Sequence, residues 1–162
     1  MARFRYRMQS VLDIKLKMET QAKQEFAQAK IALDREEETM ERLQDRKREY
    51  EEEAKELLKG RLDVLLIAAN KEAILRMEEY IADQFLRVEK AKEFLEAARV
   101  KLTEVMQERK VQETLKEKAF EEFLMEEKRQ ESKEIDQLTS YTYGQRIHAA
   151  QDADTEDLGN GR

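Results

Sequence analysis

The chain has 162 residues: 31 Lys or Arg against 37 Asp or Glu, one His, four Gly, and no Cys, Pro or Trp. Without cysteine there is no disulfide scaffold, thiol catalyst or Cys-built zinc site, and four Gly with no Pro cannot serve the turns of an α/β domain. An apolar fraction of 40% at a net charge of −6 is low for a compact core but too high and too regular for a disordered chain, which leaves long helix and coiled coil.

The chain opens with Arg3-Phe4-Arg5-Tyr6-Arg7, arginines interleaved with aromatics. Three cations in a chain of acidic balance are too few for a nucleic-acid site, and the reading is Phe4 on an apolar seam with the arginines facing outward. Asp13, Lys15 and Lys17 leave no apolar h-region, so a cytoplasmic location is expected. The longest apolar run, Val64 to Ala69, is far short of the roughly 20 residues that span a bilayer.

Arm one is predicted as a helix over 4–58. Phe4, Met8, Val11, Lys15, Met18 and Ala22 follow a 4-3-4-3-4 spacing, and Phe26, Ala29, Leu33, Glu36, Met40, Leu43, Lys47, Tyr50, Ala54 and Leu57 follow 3-4-3-4. The join between Ala22 and Phe26 reads as a stutter, which locally unwinds a supercoil. Lys59-Gly60-Arg61 then places a glycine where a helix C-terminus accepts a left-handed residue. Residues 59–71 are read as a hairpin tip with room for a short helix, with Asn70 as the N-cap of the second arm.

Arm two is predicted over 72–138. Met77, Ile81, Gln84, Val88, Ala91, Leu95, Ala98, Leu102 and Val105 repeat at 4-3. Beyond Val105 the positions in phase are Arg109, Gln112 and Lys116, while Val111, Leu115, Ala119 and Phe123 point to a shifted phase. Residues 144–162, with an acidic end, are expected to be a disordered tail. Joined by a short tip, the arms must run antiparallel. Setting 58 opposite 72 makes paired numbers add to about 130, with Tyr50 facing Tyr80 and Phe4 near 126. The fold class is therefore all-α, an antiparallel two-helix coiled-coil hairpin occupying 1–143.

Little chemistry is on offer. His148 is the single histidine, no glycine-rich phosphate loop exists, and runs such as Glu36-Glu37-Glu38 diverge around a helix instead of converging. No catalytic residue, metal or cofactor is expected. The apolar run Val64 to Ala69 either caps the coiled-coil core or docks a partner. A structural spacer and a holdase-type chaperone gripping clients with this tip are the competing classes.

The stretch Phe4-Arg5-Tyr6-Arg7-Met8-Gln9-Ser10-Val11-Leu12-Asp13-Ile14-Lys15 is similar to the start of the flagellar export protein FliJ family. Lys110, Glu113, Leu115, Lys116, Glu117 and Lys118 resemble a later family run, and Glu134-Ile135-Asp136-Gln137-Leu138 its closing segment. Gln112 and Gln137 depart from the family pattern. The resemblance implies a non-enzymatic stalk or adaptor of the bacterial flagellar type III export apparatus, peripheral to the inner membrane at the flagellar base. It implies binding to the export ATPase hexamer, promotion of its assembly into a ring, and contacts with the cytoplasmic part of the export gate FlhA and with export chaperones. By the same likeness, Leu43, Tyr50 and Tyr80 would meet the gate, and Arg5, Arg7, Lys110, Lys116 and Lys118 the ATPase ring. The free protein would be a monomeric hairpin.

Overall fold

The computed structural model describes residues 2–159. Two helices account for nearly all of it, α1 (Gln9–Leu57) and α2 (Val64–Gly159), packed against each other as an antiparallel pair, with no strand among the described residues. The chain divides into two compact units: residues 10–111, and residues 1–9 with 112–162.

The larger unit is the hairpin proper. Its turn, Leu58–Asp63, is shorter than the 59–71 tip expected from sequence. Gly60 sits at φ +76°, a conformation that costs little only when there is no Cβ. Asp63, not Asn70, caps α2. Its carboxylate accepts from the backbone N–H groups of Leu65 (3.0 Å) and Leu66 (3.3 Å), two donors that the helix itself cannot satisfy. The run Val64 to Ala69 is therefore the first turns of α2, and Asn70 lies on its buried face.

That earlier start resets the register. Tyr50 meets Asn70, Glu36 meets Gln84, Lys47 meets Glu78 and Glu25 meets Lys101, pairs whose numbers add to about 123, not 130. The difference is close to one heptad, so the same seams face each other with different partners, and Tyr50 does not face Tyr80.

The seams are also more regular than apolar residues alone indicate. On α1 the least exposed positions are Leu12, Lys15, Glu19, Ala22, Phe26, Ala29 and Leu33, continuing as 3-4 to Leu57. No stutter interrupts them, because Glu19 (6% exposed) occupies the seam and Met18 (39%) faces out. On α2 the phase of Val88 and Val105 is kept by Arg109, while Val111 is 58% exposed, so the expected phase shift does not occur. Charged or amide side chains hold seam positions because partners across the interface satisfy them. Gln84 Nε2 donates to the Glu36 carbonyl (2.9 Å) and carboxylate (2.5 Å), Asn70 Nδ2 donates to the Tyr50 carbonyl (3.0 Å), and Arg109 pairs with Glu19. Polar groups buried in a coiled coil fix register in this way.

In the second unit the chain start is not helical. Phe4 packs its ring against Phe120 (5.1 Å) and Phe123 (5.5 Å), and Tyr6 Oη donates to Gln112 Oε1 (3.1 Å). The alternation of arginine with aromatic has period two. An extended segment therefore turns both rings to one side and Arg3, Arg5 and Arg7 to solvent. A helix over the same residues would have splayed them, which is why α1 begins at Gln9 and not at 4. Here too the α2 seam keeps its spacing, with Gln112, Lys116, Ala119 and Phe123 half-buried, whereas Leu115 is 44% exposed.

α2 runs on beyond 138 and through 144 to Gly159, where composition alone points to disorder. No proline stops it, and a lone Gly144 weakens a helix by only about 1 kcal/mol. Thr139 and Thr142, both exposed, turn their hydroxyls back onto the carbonyls of Ile135 and Leu138 (both 2.8 Å). Residues 160–162 of the expected tail lie outside the described residues.

Candidate partner-binding surface

The titratable groups that depart from ordinary behaviour are surface ion pairs. A hydrogen bond from Lys101 holds the Glu25 carboxyl below the usual range, and one from Arg99 does the same for Glu96. Neither sits in a cleft with a nucleophile. Among the described residues no group of three or more His, Asp or Glu converges as a metal cage, and His148 is exposed.

Around Tyr50 the structure is well braced. Arg46 lies over its ring at 4.6 Å and donates to its hydroxyl (3.1 Å), while Glu49 accepts from Arg46 at 2.7 Å. The Glu49 and Tyr50 hydrogen bonds raise the Arg46 guanidinium above its ordinary value, so this cation stays charged throughout the working range. Tyr50 is half-buried, and its backbone carbonyl takes the Asn70 bond. Leu43 is a half-buried seam residue, and Tyr80 is 49% exposed. The Lys47–Glu78 pair (3.5 Å) brings the turn bearing Tyr80 beside that of Leu43. The three residues read from sequence as gate contacts thus share one stretch of the hairpin, with Tyr80 the most open of them.

The five basic residues read as ring contacts divide between the units. Phe4 against Phe120 and Phe123, with Tyr6 against Gln112, lays Arg5 and Arg7 along the α2 stretch that carries Lys116 and Lys118. Arg5, Arg7 and Lys118 are exposed and Lys116 is half-buried. Lys110, also exposed, belongs to the larger unit.

At the turn the aliphatic side chains are laid bare: Leu65 is 82% exposed, Val64 75% and Leu58 65%. No helix among the described residues is long and apolar enough to cross a membrane. Sequence reasoning put Arg109 in phase without its partner, took Asn70 for a cap, and missed Glu19. The unbroken 3-4 spacing through polar positions is the signal that marks them.

No curated relative matches the chain in sequence. A solved structure of a YscO homologue from Chlamydia trachomatis is similar to it, with a TM-score of 0.70 and 26% identity over 92% of this chain and 98% of that one. The family described as flagellar FliJ protein matches residues 4–147, a span that takes in the Phe4 and Tyr6 contacts, the turn and both seams. The chain therefore belongs to the FliJ family, whose members are components associated with type III export.

Proposed function

We propose that this chain is a non-catalytic stalk or adaptor of the flagellar export apparatus, one that binds the export ATPase, promotes its assembly into a hexameric ring and links that ring to the export gate FlhA and to export chaperones. The observation that carries the reading is the hairpin locked in register by polar cross-links. Gln84 to Glu36, Asn70 to Tyr50, and Glu19 to Arg109 resist sliding of one helix along the other, as a part that transmits force or position requires. In this reading Arg5, Arg7, Lys110, Lys116 and Lys118 meet acidic surfaces of the ring, and Leu43, Tyr50 and Tyr80 meet the gate. The protein acts in the cytoplasm, peripheral to the inner membrane at the flagellar base.

The test is the ATP hydrolysis rate and oligomeric state of the purified export ATPase with and without this protein. Stimulated hydrolysis and ring formation are expected, and reversing Arg5, Arg7 and Lys118 to Glu should abolish both. An unchanged rate together with unchanged oligomerisation would refute the proposal. Crosslinking from positions 5, 65 and 116 identifies which surface meets which partner.

A second reading, a holdase-type chaperone, is favoured by the bare aliphatics at the turn, since apolar surface left in water marks an interaction site. Replacing Val64, Leu65 and Leu66 by Gln removes client binding in that case but spares ring activation.

A further inference from the structure

The flanks of the seam are closed by ion pairs that cross between the helices. On one flank Lys101 Nζ reaches across to Glu25 Oε2 at 2.8 Å. One heptad on along α1, and one heptad back along α2, the equivalent positions hold Ala32 and Phe94. No bridge forms there. Ala32 has nothing to reach with, and the floor of small side chains, Ala29 and Ala91, is left open as a groove of about 360 Å³. Phe94 walls it while 63% exposed.

The rim is basic. Arg87 and Lys90 line the groove, and Arg35 lies one turn from Ala32 on the same side of α1. All three make no ion pair among the described residues. The acidic residue at the groove, Glu36, is already engaged by Gln84. An apolar trough with a projecting aromatic and unpaired cations on both helices has a definite complement. We infer that this groove docks an acidic amphipathic helix of a partner protein. Its apolar stripe lies in the Ala29, Ala32 and Ala91 floor against Phe94, and its carboxylates face Arg35, Arg87 and Lys90. The small floor residues let a third helix approach closely, and spacing of i, i+3, i+4 and i+7 presents such a stripe. Phe94 lies two heptads from Tyr80, roughly 21 Å along the helix, and the groove's chemistry is independent of the export roles proposed above.

The probe is a labelled 18-residue designed helix with Leu along one stripe and Glu on both sides of it, paired with a control in which every Glu is Lys. Binding to the full chain is followed by fluorescence anisotropy. The acidic peptide should bind at least tenfold tighter than the basic one and weaken with added salt. The double variant R87E/K90E should lose tenfold or more, and F94A fivefold or more. F85A removes an equally bare ring (56% exposed) from the opposite flank and should bind as the parent does. Circular dichroism confirms that each variant is helical. Equal affinity for both peptides, parental affinity in F94A or R87E/K90E, or an equal loss in F85A would overturn the inference. So would sedimentation showing that the chain alone forms a dimer abolished by F94A, which assigns the groove to a second copy.

Discussion

Glu19 and Arg109 offer the sharpest test of how this hairpin is held together. Glu19 is 6% exposed on a seam where a leucine would serve, and it is met by Arg109 across the interface and by Lys23 at 3.2 Å on its own helix. Removing one partner of a fully buried pair costs about 3–5 kcal/mol, because the other charge is left without compensation. Arg109→Ala strands a carboxylate that retains only Lys23, whose side chain is 60% exposed, so about 2–3 kcal/mol is expected. Glu19→Ala should cost less, about 1–2 kcal/mol, because the long arginine stem can carry its head toward water. Replacing both residues by Leu should be neutral or stabilising by about 1–4 kcal/mol, yet it removes a feature that tells one register from its neighbours. Urea unfolding followed by far-UV circular dichroism measures the energies, and spin-label distances between the arms measure the register. If Arg109→Ala lost under about 0.5 kcal/mol, the range of an ordinary surface pair, or if the double Leu variant kept a single sharp distance distribution, the pair would have no hold on the register.

Spin labels at 50 and 70 should lie about 10 Å apart at the backbone, the spacing of packed helices, whereas labels at 50 and 80 should be separated by roughly 18 Å because ten residues of helical rise intervene; equal distances would refute the register. Asp63→Ala should cost about 1 kcal/mol by leaving the Leu65 and Leu66 amides uncapped, and Gly60→Ala a similar amount from its left-handed backbone, both read by urea unfolding. The depressed Glu25 carboxyl contributes stability that is present above the ordinary carboxylate value and fades as pH falls through its lowered folded value. Acid titration of stability should lose that component in Lys101→Gln, and an unchanged profile would show that the Lys101 bond contributes nothing.

The hairpin itself is legible because apolar spacing and Gly60 are local signals, and local signals survive in a single sequence. Register is not, since it depends on where α2 begins. Two candidate caps, Asp63 and Asn70, stand seven residues apart, and both are residue types that favour an N-cap. Choosing Asn70 moves every pairing by nearly one heptad without disturbing either seam, so the apolar pattern gives no warning. Glu19 and Arg109 are hidden for a related reason. Each looks like a defect in an apolar stripe when its own helix is read alone, and only the partner across the interface shows that the charge is satisfied. The basic start reads as helix because Phe4 suits a seam, although the strict alternation of Arg3, Phe4, Arg5, Tyr6 and Arg7 carries the period of an extended segment.

Where the polar cross-links stand also bears on what the hairpin can do. A seam of leucines throughout would hold the arms together more strongly but would tolerate a slide of seven residues, since every heptad offers the same apolar face. Asn70, Gln84 and Arg109 each meet a different kind of partner: a backbone carbonyl, a carbonyl with its own carboxylate, and a carboxylate alone. A slide by one heptad would leave the buried Glu19 charge facing Leu102 in one direction, and in the other would turn Arg109 onto Phe26. The cost of slipping is therefore concentrated in a few layers, while the apolar layers between them supply cohesion. A two-helix element built this way resists axial displacement more than its modest core implies, which is what the stalk role proposed above requires.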